Sequence, residues 1–127
     1  MEQTTQKNLI KGVDLFAHMV SDPQRAIAFY RDVLGMTPTD IDEEGRGAEF
    51  TLSDGSTFGV WKSEEGQPVP SGGTMFAVDD IEEAVKIFRS RGLQLSDTME
   101  SNVCHMAFGT DPDGNAVIIH KRKNPDQ

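Results

Sequence analysis

Toward the C-terminal end, Cys104, His105 and His120 flank the run Asp111-Pro112-Asp113-Gly114-Asn115. Asp and Gly in such a run close a tight turn between antiparallel strands, so a thiol and an imidazole can become neighbours across one hairpin. In contact, and with a lowered thiol pKa, a Cys–His pair yields a thiolate nucleophile. With further donors the same groups hold a divalent ion. The remaining histidine is His18, and Cys104 is the single cysteine. An internal disulfide and four-cysteine or CxxC zinc sites are therefore excluded. The carboxylates Asp42-Glu43-Glu44 and Glu64-Glu65 fall in turn or linker sequence and read as solvated loops, not acid–base pairs. No GxxxxGK[ST] run occurs, and Gly45-Arg46-Gly47 lacks the strand–helix context that would make it a phosphate cradle.

These groups need a scaffold, and 127 residues suffice for one domain with a real core. Twelve Lys and Arg against 21 Asp and Glu leave a net charge of −9, which repels nucleic acid and anionic lipid. The basic run Lys121-Arg122-Lys123 reads as a solvated tail. No apolar stretch reaches the roughly 20 residues of a membrane span, and the first residues lack a signal pattern. A cytoplasmic protein with no membrane partner is expected.

The chain repeats itself. Val20-Ser21-Asp22-Pro23 with Ala26, Ile27, Phe29, Tyr30 and Arg31 is echoed 58 residues later by Val78-Asp79-Asp80-Ile81 with Ala84, Val85, Ile87, Phe88 and Arg89. Asp54-Gly55 is echoed by Asp113-Gly114 at an offset of 59. Each half opens with a strand-like run, Val13 to Val20 and Thr74 to Val78, then meets a helix start. Asp22 serves as N-cap before Pro23, and Asp80 has capping-box spacing to Glu83. Apolar residues at i, i+3, i+4 and i+7 make both helices amphipathic, and Gly35 and Gly92 are placed to end them in the left-handed conformation. Three extended segments follow each helix: Thr37 to Ile41, Ala48 to Leu52 and Ser56 to Lys62, then Leu93 to Thr98, Val103 to Gly109 and Ala116 to Lys121.

The fold class is α+β: two βαβββ modules, about residues 10–63 and 73–123, joined by a Gly/Pro/Ser-rich linker over 64–72 in one domain. Each module covers one sheet face with its helix and leaves the other bare, and two bare faces can pair around a cavity.

The runs VSDPQRAIAFYRDVLGM (20–36), FAVDDIEEAVKIFRSRGL (76–93) and DPDGN (111–115) resemble the vicinal oxygen chelate superfamily, which includes glyoxalase I, bleomycin-resistance proteins, fosfomycin-resistance enzymes and extradiol dioxygenases. The resemblance implies paired modules in a partly closed barrel around a cavity, often within or across a homodimer. It also implies four metal-ligand positions, one on the first and one on the last strand of each module. Counting seven residues back from Asp22 and Asp80 gives Leu15 and Gly73; counting seven forward from Asp111 gives Ile118, and the repeat offset gives Gly59. None of these side chains donates an electron pair, so no metal and no cofactor is expected.

Alternation along strands sorts the remaining candidates. With Leu15 facing the cavity, Ala17 and Met19 follow it and His18 points away; with Ile118 inward, so is His120. The family register places Cys104, Met106 and Phe108 inward and His105 outward. Phe50, Trp61 and Met75 complete a greasy, aromatic lining suited to a flat or apolar small molecule. The function expected is that of a metal-independent, glyoxalase/bleomycin-resistance-like small-molecule-binding protein. The alternatives are a lyase, isomerase or dioxygenase-like enzyme using His120 with Cys104, or an unrecognised metal, and a purely structural or interaction domain whose cavity is filled by its own side chains.

Overall fold

The computed structural model describes Leu9 and residues 13–63 and 73–124, so the expected linker lies outside the described residues. The first module runs β1 (Phe16–Val20), α1 (Pro23–Ala28) continued by a π-helical turn (Phe29–Val33), β2 (Asp40–Ile41), β3 (Gly47–Thr51) and β4 (Thr57–Lys62). The second runs β5 (Gly73–Ala77), α2 (Ile81–Ser90), β6 (Met99–Glu100), β7 (Cys104–Thr110) and β8 (Ala116–Arg122). Both are βαβββ units, as the repeat requires.

The helix starts are those the sequence encodes. The Asp22 carboxylate accepts from the Arg25 amide at 3.2 Å, and the Asp80 carboxylate from the Glu83 amide at 3.0 Å. Gly35 and Gly92 follow the helical segments with φ of 78° and 98°, a region costly for any residue with a Cβ. Three segments differ from expectation, the first being the strand expected over Thr37 to Ile41, which shortens to Asp40–Ile41. The first helix widens to π geometry, with the Leu34 amide reaching the Phe29 carbonyl at 3.3 Å. Residues 93–98, expected as a strand, are irregular. Leu93 is buried, and Ser96 bonds Phe108 twice, its amide donating to the Phe108 carbonyl and its hydroxyl accepting from the Phe108 amide, both at 2.9 Å, while ladder pairing to β7 begins at Met99.

The sheets are ordered β1-β4-β3-β2 and β5-β8-β7-β6. β1 pairs β4 and β5 pairs β8 in parallel, while the other pairs are antiparallel. The two sheets stay separate, so the expected partly closed barrel is not formed. Its place is taken by a seam of side chains between the edge strands β1 and β5.

One apolar core crosses that seam. Val20, Ala26, Tyr30, Ala48, Phe50, Phe58 and Val60 of the first module join Ile81, Val85, Ala107, Val117 and Ile119 of the second. Tyr30 lies among rings, with centroids 4.8 Å from Phe58 and 6.2 Å from Phe76 across the seam. Aromatic pairs at such spacings add to the burial of their surface.

A chain of buried polar groups threads this core. Thr74 Oγ1 lies 2.8 Å from His18 Nε2, His18 Nδ1 lies 2.8 Å from the Tyr30 hydroxyl, and that hydroxyl donates to Asp111 Oδ2 at 2.9 Å. Because the tyrosine proton goes to the carboxylate, Tyr30 accepts from His18. The imidazole proton is thereby assigned to Nδ1, and Nε2 accepts from Thr74. Asn115 donates to the same carboxylate oxygen and to the Met19 carbonyl, both at 3.0 Å. Asp113 accepts from the Ser21 hydroxyl at 2.6 Å, again across the modules. Burial pushes the Asp111 carboxyl up, but the His18 imidazole 3.7 Å away together with hydrogen bonds from Asn115 and Tyr30 outweighs it and holds the group below its ordinary 3.8. Burial, reinforced by the Asp111 charge, drives the Tyr30 hydroxyl far above its usual range and keeps it a donor.

Tyr30→Phe removes a group bonded on both sides and leaves a buried imidazole and carboxylate each short of a partner. A loss of about 2–3 kcal/mol is expected in urea unfolding, and a loss under about 0.5 kcal/mol would show that the network is not integral to the seam. Folding favours the ionised form of Asp111, whose folded pKa is lowered. Its contribution is complete above about pH 4 and disappears as pH falls through the folded value. Asp111→Asn should flatten that acid limb of the stability profile, which an unchanged limb would contradict.

Candidate functional site

The alternation of buried and accessible positions identifies the bare faces. In the first module Val20, Ala48, Phe50, Phe58 and Val60 point into the core beneath the helix. The opposite face therefore carries Ala17 and Met19 of β1, Gly59 and Trp61 of β4, Gly47 and Glu49 of β3, and Asp40 of β2. Register joins these into rows, Ala17–Gly59–Glu49–Asp40 and Met19–Trp61–Gly47. Phe50, expected in the cavity, is fully buried on the core face with Tyr30 and Phe58. Its neighbours explain the reversal: in Ala48-Glu49-Phe50-Thr51 the apolar residues share one face, and the face left bare is the polar one.

In the second module the core face holds Ala107, Val117 and Ile119. Met75, Ile118 and Phe108 form one row of the bare face, and Ala77, His120, Met106 and Met99 form the next. Met75 is 57% exposed, Met99 47% and Phe108 37%, so this is an accessible apolar surface and not a closed core. His18 lies on the core face, inside the seam network, and His105 opposite to Met106 on β7.

Cys104 and His120 share a face but are not in contact register. Cys104 is the cross-strand partner of Arg122, whereas His120 is that of Met106. The Cys104 sulfur lies 3.3 Å from the Ser101 hydroxyl, and no hydrogen bond joins it to His120. Cys104 as a whole is 6% exposed.

The four positions that the family resemblance marks for metal ligands do not fit a metal. Gly59 faces Trp61 Nε1 and Leu15 Cδ1, which would lie 3.4 and 3.7 Å from a Cβ placed there. A Cβ at Gly73 would stand 2.6 Å from that of Ala116, so no donor side chain can be accommodated there without displacing β8. Leu15 and Ile118 offer hydrocarbon. Among the described residues no group of three or more His, Cys, Asp or Glu is arranged to hold an ion.

Trp61 has an unusual seat. Its ring carbons would lie 2.7 and 3.0 Å from a Cβ at Gly47, and the Val60 carbonyl 2.1 Å from it, so only glycine fits beneath the indole. The ring lies across Gly47 and Gly59. The sequence reading found Trp61 but passed over Asp40 and Glu49, which strand alternation opposite Phe50 could have placed beside it.

A cavity of about 270 Å³ also opens on the seam, lined by Phe29 and Val33 of the π turn, Arg91 to Gln94 beyond α2, and Thr110 to Pro112. None of the residues expected to contact ligand lines it. Among the described residues no helix is long and apolar enough to cross a membrane.

The family description Glyoxalase/Bleomycin resistance protein/Dioxygenase superfamily matches residues 12–119. No curated protein matches the chain. Among solved structures, an antibiotic-binding protein, TnmS3 from Streptomyces sp. CB03234, superposes with a TM-score of 0.78 at 21% identity, covering 92% of this chain and all of its own. Lactoylglutathione lyase from Agrobacterium tumefaciens gives 0.73 at 20% identity, covering 88% and 94%. A glyoxalase/bleomycin resistance protein from Catenulispora acidiphila gives 0.69 at 22%, covering 84% and 95%.

A buried thiol bonded to a serine is expected to react slowly with a disulfide reagent such as DTNB in the native protein and rapidly after unfolding. Complete native labelling within the mixing time would instead reveal an accessible, activated thiolate and restore the dyad as a candidate.

Proposed function

Because the chain belongs to the glyoxalase/bleomycin resistance protein/dioxygenase superfamily, we propose that it binds a small hydrophobic or aromatic molecule on the bare faces of its sheets, without a divalent metal. The observation that carries this reading is the accessible row of Met75, Ile118 and Phe108 beside His120, on a fold whose metal-ligand positions hold Leu15, Gly59, Gly73 and Ile118. Thioethers adapt to irregular apolar shapes and rings stack. An imidazole at the border of such a surface can orient one polar group of the guest. Binding is favoured over turnover because the Cys104 sulfur is engaged with Ser101. A fold neighbour described as antibiotic-binding supports the same reading by analogy. Exposed Val13 and Phe16 at the β1 edge add apolar surface that a second copy would cover, so we infer a homodimer. One cysteine suits a reducing, cytoplasmic setting.

For a ligand found by thermal-shift screening, His120→Ala is expected to weaken binding by about 1–3 kcal/mol, the cost of leaving a desolvated polar group unpaired. His105→Ala, on the other face, should leave it intact. The reverse pattern would mean that the ligand does not sit on this face. Elemental analysis of desalted protein should show no stoichiometric divalent ion, and one equivalent of Zn, Ni, Mn or Fe would refute the metal-independent reading. Light scattering should give twice the chain mass at micromolar concentration; a monomer there would remove the dimer.

A further inference from the structure

The two bare faces differ in chemistry. That of the second module is thioether and hydrocarbon bordered by the His120 imidazole, while that of the first carries an indole with two carboxylates on the neighbouring row. Trp61 lies flat because Gly47 and Gly59 leave room for it, with Nε1 over Gly59. Directly opposite Gly59 on β3 is Glu49, and opposite Glu49 on β2 is Asp40. Side chains opposite each other on neighbouring strands stand about 5 Å apart, and like charges so placed are destabilising. Neither carboxylate has an ion-pair or hydrogen-bond partner among the described residues. The nearby Arg46 is occupied, its guanidinium bonded to Asp42 at 2.9 and 3.1 Å. Glu49 and Trp61 are both half-buried and stand on adjacent rows of the same face, Glu49 opposite Gly59 and Trp61 opposite Gly47.

An aromatic face attracts a cation held within about 6 Å of its centroid, more strongly when the site is partly desolvated. Two adjacent carboxylates supply the matching charge, and the net charge of −9 raises the local concentration of cations. Resting on the small-molecule reading above, we propose that the bare face of the first module selects a cationic aromatic molecule. Its ring system stacks on Trp61, and its positive nitrogen lies beside Glu49 and Asp40. The repulsion between the two carboxylates is thus a cost of the empty protein that binding relieves.

Trp61 is the chain's sole tryptophan, so the emission originates on this face, and its dependence on Glu49 and Asp40 separates a probe seated here from one that quenches by energy transfer from elsewhere. The test titrates the full-length protein with three probes of similar ring area: N-methylacridinium as cation, acridine at pH 8 as neutral, and anthracene-9-carboxylate as anion. The expected result is saturable quenching by the cation, about tenfold tighter than by the neutral probe. That preference should shrink several-fold in Glu49→Gln, and further in Glu49→Gln with Asp40→Asn, while affinity for the neutral probe stays unchanged. Both variants should melt no lower than wild type, because they remove a repulsion. Equal affinity for cation and neutral probe, or a preference that survives both substitutions, would overturn the charge selection and leave the small-molecule reading standing. Saturable quenching by none of the three would likewise overturn it, while the small-molecule reading, carried by the second module's face, stands or falls on the thermal-shift screen and its His120→Ala variant.

Discussion

Everything on the bare faces depends on how the two sheets are held, and the holding group is the buried tyrosine hydroxyl of Tyr30. It accepts from His18 of β1 and donates to Asp111 at the end of β7, so one oxygen connects the modules through residues 81 positions apart in the chain. No backbone ladder performs this task, since the sheets are separate. Buried polar groups are tolerated only when their hydrogen bonds are complete, and here Thr74, Asn115 and the Asp113 amide complete the set. Apolar packing brings the modules together, and this chain of donors and acceptors fixes their arrangement, leaving Asp113 Oδ2 as the one buried side-chain oxygen without a partner among the described residues.

The fold was legible because its signals are local. Asp22-Pro23 and Asp80, the 3.6-residue periodicity and the two left-handed glycines each act within a few residues of themselves, and their recurrence at an interval of 58 revealed the modular plan. The seam was not legible. DPDGN reads as a turn, which it is, yet Asp111 also turns inward to receive Tyr30 and Asn115, and nothing near it in sequence announces those partners. His18 could be placed on the correct face by counting, but its bonds to Thr74 and Tyr30 arise only once the modules have met. The extended run after Gly92 failed for a related reason: burying Leu93 and closely approaching Gly109 forces the backbone off a regular ladder.

The candidate site was half legible. An assumption that the cavity is uniformly apolar drew Phe50 into it, whereas the first module buries its apolar stripe under the helix and turns Glu49 outward. Glycine at position 59 looked like a mere loss of a metal ligand. The structure gives it a positive role, because together with Gly47 it makes the floor on which Trp61 lies. The missing donor and the displayed ring are one change seen from two sides.

The polar seam also breaks the symmetry of the duplication. By the interval of 58, His18 corresponds to Phe76 and Tyr30 to Phe88, so the second half offers hydrocarbon where the first offers an imidazole and a phenol. A first half can satisfy His18 and Tyr30 against Thr74 and Asp111 of a second half. Two first halves brought together would bury those groups without the carboxylate, and two second halves would bury Asp111 without its donors. Leaving such groups unpaired costs on the order of kilocalories each. The divergence of the repeats therefore encodes a rule of recognition between unlike halves, and it holds whether the complementary half comes from the same polypeptide or from another.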